Sequence, residues 1–116
     1  MPDQNTIPSF DSAVTAGATS LALSGAYLDF IEIQNPNKVM VFLQLFDALV
    51  ADVTLGTTEP LLSLFCPPGD GVTDGGRELN PVNPINFRKG IVYAITTEAT
   101  GMTAPLVLCK VNFVRH

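Results

Sequence analysis

The chain has 116 residues, 47% of them apolar, which suits one packed domain and is too apolar for a disordered chain. Nine glycines and nine prolines imply many turns and little room for long helices. A net charge of −5 argues against a nucleic-acid groove, which needs clustered lysine and arginine.

In chain order, residues 1–19 are polar and small, with Pro2 and Pro8, and only Ile7, Phe10 and Val14 as anchors. They read as an extended N-terminal arm ahead of a domain over 20–116. Such a segment is stable only against its own domain or a neighbour's. Met1–Asn5 lacks the basic start and apolar stretch of a secretory signal, and no run approaches 18 apolar residues, so neither export nor a membrane span is expected. Ser20–Leu23 reads as a short edge strand and Tyr27–Gln34 as a longer one. Asn35-Pro36-Asn37 is a turn, since proline presets φ and asparagine tolerates turn geometry. It is expected to close a hairpin onto the next strand.

That next strand, Lys38–Asp47, is the strongest strand signal. Val39, Val41, Leu43 and Leu45 share one face; Met40, Phe42, Gln44 and Phe46 share the other. A sandwich strand with one wet face alternates apolar with polar, yet Gln44 is the one polar residue among these eight. Something must cover the second face. Self-association would do so with one repeated contact; so would the loops 48–60 and 67–84 folding back.

Ala48–Ala51 suits a helical turn, Gly56–Pro60 a loop, and Leu61–Cys66 a strand with Leu62, Leu64 and Cys66 on one face and Leu61, Ser63 and Phe65 on the other. Pro67–Pro84 is a long polar excursion, read as a functional or mobile loop. Ile85–Phe87 is a short strand, Arg88-Lys89-Gly90 a tight turn, and Ile91–Thr97 another run apolar on both faces. Glu98–Pro105 reads as a loop. Leu106–Val114 closes the domain, with Val107, Cys109, Val111 and Phe113 on its apolar face. The fold class expected is all-β: a two-sheet antiparallel sandwich, jelly-roll-like, with the N-terminal arm.

No constellation reports an enzymatic reaction. The single histidine, His116, is the last residue, where a fraying end cannot position a general base. Cys66 and Cys109 have no histidine partner and no zinc spacing; they are read as buried free thiols, with a disulfide left open. Asp70, Asp74 and Glu78 on a glycine-rich loop have the oxygen chemistry for calcium but not the EF-hand spacing. Gly69, Gly71 and Gly75 lack the lysine and helix of a phosphate loop. No carboxylate pair stands out for glycoside hydrolysis. Tyr27 and Tyr93, in strand runs, read as core or interface residues rather than a glycan platform. The expectation is a chain with no catalytic residues, cofactor or metal. Charge is also divided: residues 1–59 hold seven acids and only Lys38 as a base, while Arg77, Arg88, Lys89, Lys110 and Arg115 all follow.

The segments V-F-L-Q-L-F-D (41–47), L-G-T-T-E-P (55–60), L-L-S-L-F-C-P-P-G (61–69) and I-N-F-R-K-G-I-V-Y-A-I-T-T (85–97) resemble a group of small all-β virion proteins of tailed bacteriophages. The likeness runs from about Tyr27 to Thr97. It implies a capsid decoration, or cement, protein: a jelly-roll-like homotrimer on the capsid exterior that bridges neighbouring capsomers, with the major capsid protein as partner and neither nucleic acid nor membrane. On that resemblance Met40, Phe42, Phe46 and Tyr93 would form the subunit interface. Ile7 and Phe10 of the arm, with Arg88 and Lys89, would touch the capsid. A trimeric tail-fibre, spike or neck component and a glycan-binding module are the alternatives.

Overall fold

A computed structural model describes residues 6–116 of the chain. Its strands are β1 (Ile7–Val14), β2 (Thr19–Ala22), β3 (Ala26–Asn35), β4 (Val41–Phe46), β5 (Leu62–Cys66), β6 (Gly75–Leu79), β7 (Ile85–Phe87), β8 (Ile91–Thr96) and β9 (Cys109–Arg115), with one 3-10 turn at Val50–Asp52. They form two antiparallel sheets packed as a sandwich. The first has the order β1-β9-β3-β6, with β7 pairing the start of β3; the second has the order β2-β8-β4-β5. The two-sheet antiparallel sandwich expected from the sequence is what forms.

The alternation of each strand builds the core. Leu28, Ile31 and Ile33 of β3 and Val111 and Phe113 of β9 point inward from the first sheet, and Leu43, Leu45, Ile91 and Ile95 meet them from the second; each is at most 1% exposed. Every such large side chain contributes roughly 1.5–3 kcal/mol by leaving water. Cys66 and Cys109 lie in this layer as free thiols. Burial pushes both up to about 11, against the nearby Arg77 charge in the case of Cys66. The core therefore holds them protonated and unreactive at neutral pH.

Four expectations need correction. Residues 7–14 of the expected arm are a strand of the sandwich, in register with β9 from Ile7↔Arg115 to Val14↔Cys109; the arm's residues 1–5 lie outside those described. Its packing is polar: Asp11 turns inward and accepts a 2.7 Å hydrogen bond from the Tyr93 hydroxyl.

Asn35-Pro36-Asn37 closes no hairpin. It carries the chain from β3 in one sheet to β4 in the other. Both asparagines are buried, at 0% and 4% exposure. Asn35 Oδ1 accepts from the Asn37 backbone and side-chain amides at 2.9 and 3.0 Å, while Asn35 Nδ2 donates to the carbonyls of Val39 and Pro67. Asn37 exchanges two hydrogen bonds with the Val107 backbone, at 2.9 and 2.7 Å. These side-chain bonds replace the ladder of a hairpin and tie three crossing segments together.

The 67–84 excursion contains β6, which pairs β3 from Ile31↔Leu79 to Asn35↔Gly75. Gly75 begins it because a side chain there would collide with the Pro67 carbonyl. The last strand starts at Cys109, three residues later than its apolar run, because Val107 is engaged by Asn37 and is half exposed.

Candidate interaction surface

β4 and β8 are the two central strands of the second sheet, and their outward residues are the ones that seemed to need a partner. The structure divides that outer face in two. On one side Gln44, Phe46, Val92, Ala94 and Thr96 are all 0–1% exposed. Their cover includes the chain's own segment 98–102, gripped mostly through its carbonyls. Gln44 Nε2 donates to the Gly101 carbonyl at 3.0 Å and to Thr96 Oγ1 at 2.7 Å. Thr96 Oγ1 donates to the Glu98 carbonyl and Ser63 Oγ to that of Ala99, at 2.6 and 2.7 Å. The segment is closed on itself: the Thr97 amide donates to the Thr103 carbonyl, and the Thr103 amide to Glu98 Oε1. Hydrogen bonds from the Thr103 side chain, then from its backbone amide, hold the exposed Glu98 carboxyl below its usual range. Met102 rests over Gly56, whose φ of 83° is one that side chains disfavour. Gln44 Oε1 is buried without a hydrogen-bond partner among the described residues, as is Arg115 Nε in the other sheet.

On the other side the face stays open. Met40 is 44% exposed, Phe42 is half-buried, and Phe42 pairs across the strands with Phe65, which is 47% exposed. The Arg77 guanidinium reaches over from β6, 4.7 Å above the Phe65 ring, and donates to the Phe65 carbonyl at 3.4 Å. Stacking and hydrogen bond together fix an arginine on an aromatic at the rim of a wet apolar surface. Arginine and aromatics with methionine are the residue types enriched at protein interfaces.

The expected interface residues thus separate. Met40 and Phe42 lie on the open half. Phe46, at 1% exposure, is sealed in the covered half. Tyr93, at 5%, points to the other side of its strand, into the core, with its ring tilted against Phe113 4.9 Å away. Burial, then the bond to Asp11, pushes its phenol far above the ordinary range. Neither Phe46 nor Tyr93 offers a side chain to a neighbour, and both are corrected to core residues.

The expected capsid contacts do not converge either. Ile7 begins the edge strand β1, 44% exposed, and Phe10 stands on the outer face of the first sheet, 60% exposed. Arg88 and Lys89 sit in the turn before β8, at the opposite end of the sandwich from Met40. Their backbone amides donate to Asp47 Oδ1 at 2.9 and 2.8 Å, leaving both side chains exposed. Burial raises the Asp47 carboxyl, but the amides of Lys89, Arg88 and Gly90 outweigh it and hold it low.

His116 does not fray. It exchanges two backbone hydrogen bonds with Tyr27, stacks its ring 5.1 Å from that of Tyr27, and places Nδ1 2.7 Å from Asp29 Oδ2. Asp70 folds its carboxylate back onto the amides of Val72 and Thr73, and among the described residues no three metal-binding side chains gather. Sequence reasoning missed Phe65 and Arg77 as members of the patch. Alternation puts Phe65 on the face opposite Leu62, Leu64 and Cys66 without saying which face is wet; Arg77 is hidden because its strand, polar and glycine-rich, reads as loop.

Comparison with known protein families, with curated proteins and with solved structures found no match.

Proposed function

We propose that this chain is a structural assembly subunit, acting as a capsid decoration protein of a tailed-phage particle. The observation that carries the assembly part is the open half of the β4–β5 face. There Met40, Phe42 and Phe65 keep apolar surface in water although the chain has a segment that roofs the other half of the same sheet. The virion part rests on the resemblance that runs from about Tyr27 to Thr97, and with it the jelly-roll relationship, the trimer and the capsid exterior as location. The mechanism is burial of area, on the order of 1,600 Å² per contact, repeated over a lattice, with no chemical step.

The deciding experiment offers the purified chain to capsids stripped of decoration and, separately, to isolated tails. Saturable binding to capsids, with more heat needed to burst them, is the expected outcome. Binding only to tails would move the protein to a fibre, spike or neck. Binding to neither would defeat the virion reading.

A further inference from the structure

The first sheet also presents an open face, and its chemistry is the counterpart of the patch just described. Ile31, Ile33, Val111 and Phe113 point inward, so Phe30, Glu32, Asn112 and Val114 point out. The register lays Phe10, Asn112, Glu32 and Glu78 in one row across β1, β9, β3 and β6, with Pro8, Val114 and Phe30 in the row beneath. The face is apolar below and acidic in the Glu32–Glu78 row, with exposed Lys110, paired with Gln34, one row above. Glu32 and Glu78 are directly opposite, a like-charge pairing that a sheet disfavours. Glu32 is partly relieved by Asn112, which donates to it at 2.8 Å; Glu78 has no ion pair among the described residues. An open groove of about 590 Å³ runs beside them, lined by Gln34, Asp74, Gly76 and Arg77 as well as the two glutamates. Across the β5–β6 edge, Arg77 sits on Phe65 with no carboxylate in ion-pair range among the described residues.

We propose that the occupant of this acidic face is a second copy of the chain. The Met40–Phe42–Phe65–Arg77 patch of one copy packs on the Phe30–Glu32–Glu78 face of the next, with the partner's guanidinium between the two glutamates. Each copy carries both halves of the contact, on the two faces that flank its β5–β6 edge, with Arg77 and Glu78 neighbours on β6, so the association is head-to-tail and repeats. The inference rests on the assembly reading above and supplies its interface. It gives an ion-pair partner to Arg77 and to Glu78, neither of which has one among the described residues.

The test is charge exchange on the full chain, read by light scattering and sedimentation, with thermal melting to establish that each variant folds. R77E and E78R are each expected to weaken self-association at least ~tenfold at low salt. Combining them in one chain should restore it to within about threefold, because opposite charges meet again in every contact, and mixing the two single variants should restore it in part, in the contacts where unlike variants meet. A double variant as weak as the singles, or folded singles that associate like the parent chain, would overturn this pairing while leaving assembly itself intact. A parent chain that stays monomeric at all accessible concentrations and on capsids would overturn the assembly reading, and this one with it.

Discussion

The two halves of the second sheet's outer face have similar sequences and opposite fates. On β4, Phe42 and Phe46 are four residues apart on one side of one strand. Phe46 is 1% exposed, while Phe42 lies beside a wet, 47% exposed Phe65. The difference lies in what crosses above them. Segment 98–102 lies over the Gln44–Thr96 side, drawn there by donors that need acceptors. Thr96 is the direct cross-strand neighbour of Phe42, so the roof ends at the edge of Phe42 and leaves Met40 and Phe65 more than 40% exposed. A buried polar side chain thus organises a cover, and purely apolar neighbours leave a surface free. Apolarity on both faces of a strand is not by itself a sign of a partner; it shows only that something must cover the second face.

The comparison breaks most sharply at Phe46. Phe46→Ala should cost about 3–5 kcal/mol of stability, measured by denaturant unfolding, because the cavity cannot be refilled under a roofed face. If it cost under about 1 kcal/mol, the covered half would not be a packed interior. Phe42→Asp tests the other half. It should leave the melting midpoint within a few degrees of the parent while reducing self-association, whereas unfolding would make Phe42 a core residue.

Next comes the polar junction. Asn35→Ala strands the Val39 and Pro67 carbonyls and the Asn37 amides, at roughly 1–3 kcal/mol for each group left unsatisfied. Unfolding free energy should therefore fall by at least about 2 kcal/mol, with faster hydrogen exchange at Val107. Ser63→Ala, at the margin between the halves, loses one bond to the Ala99 carbonyl and should cost only about 0.5–1.5 kcal/mol. Its clearer readout is faster exchange of the Thr97 and Thr103 amides than of the β8 amides; unchanged exchange would show that this bond does not hold the roof.

The smallest effect is in acid. Asp47 has a folded carboxyl held below its unfolded value of about 4. Its contribution is therefore present above that value and lost as pH falls through the lower folded one. Asp47→Asn should flatten the stability profile between about pH 5 and 2 without altering association, and solvent screening keeps the change modest. An unchanged acid limb would mean that the Arg88–Gly90 amides bind the carboxylate no better than water does.

Much of the sandwich was legible because strand alternation has a fixed period and the core is built from it. Leu62, Leu64 and Cys66 on β5, and Cys109, Val111 and Phe113 on β9, point inward as their spacing requires. β6 was not legible: G-G-R-E-L is a polar strand whose pairing with β3 and whose seat on Pro67 come from elsewhere in the chain. The candidate surface was half legible. Met40 and Phe42 were found by alternation, but Phe46 was misplaced because a side chain's face is local information and its cover is not.

By itself the sequence determined the class of fold, most of the strands and which side of each is apolar, because these follow from side-chain direction along one extended backbone. Tertiary structure alone decided which apolar faces stay wet, where Asn35 and Asn37 send the chain, and that Arg77 stands over Phe65. Those outcomes depend on segments up to some seventy residues apart, as from Asn37 to Val107, meeting in space, and no local pattern encodes that meeting.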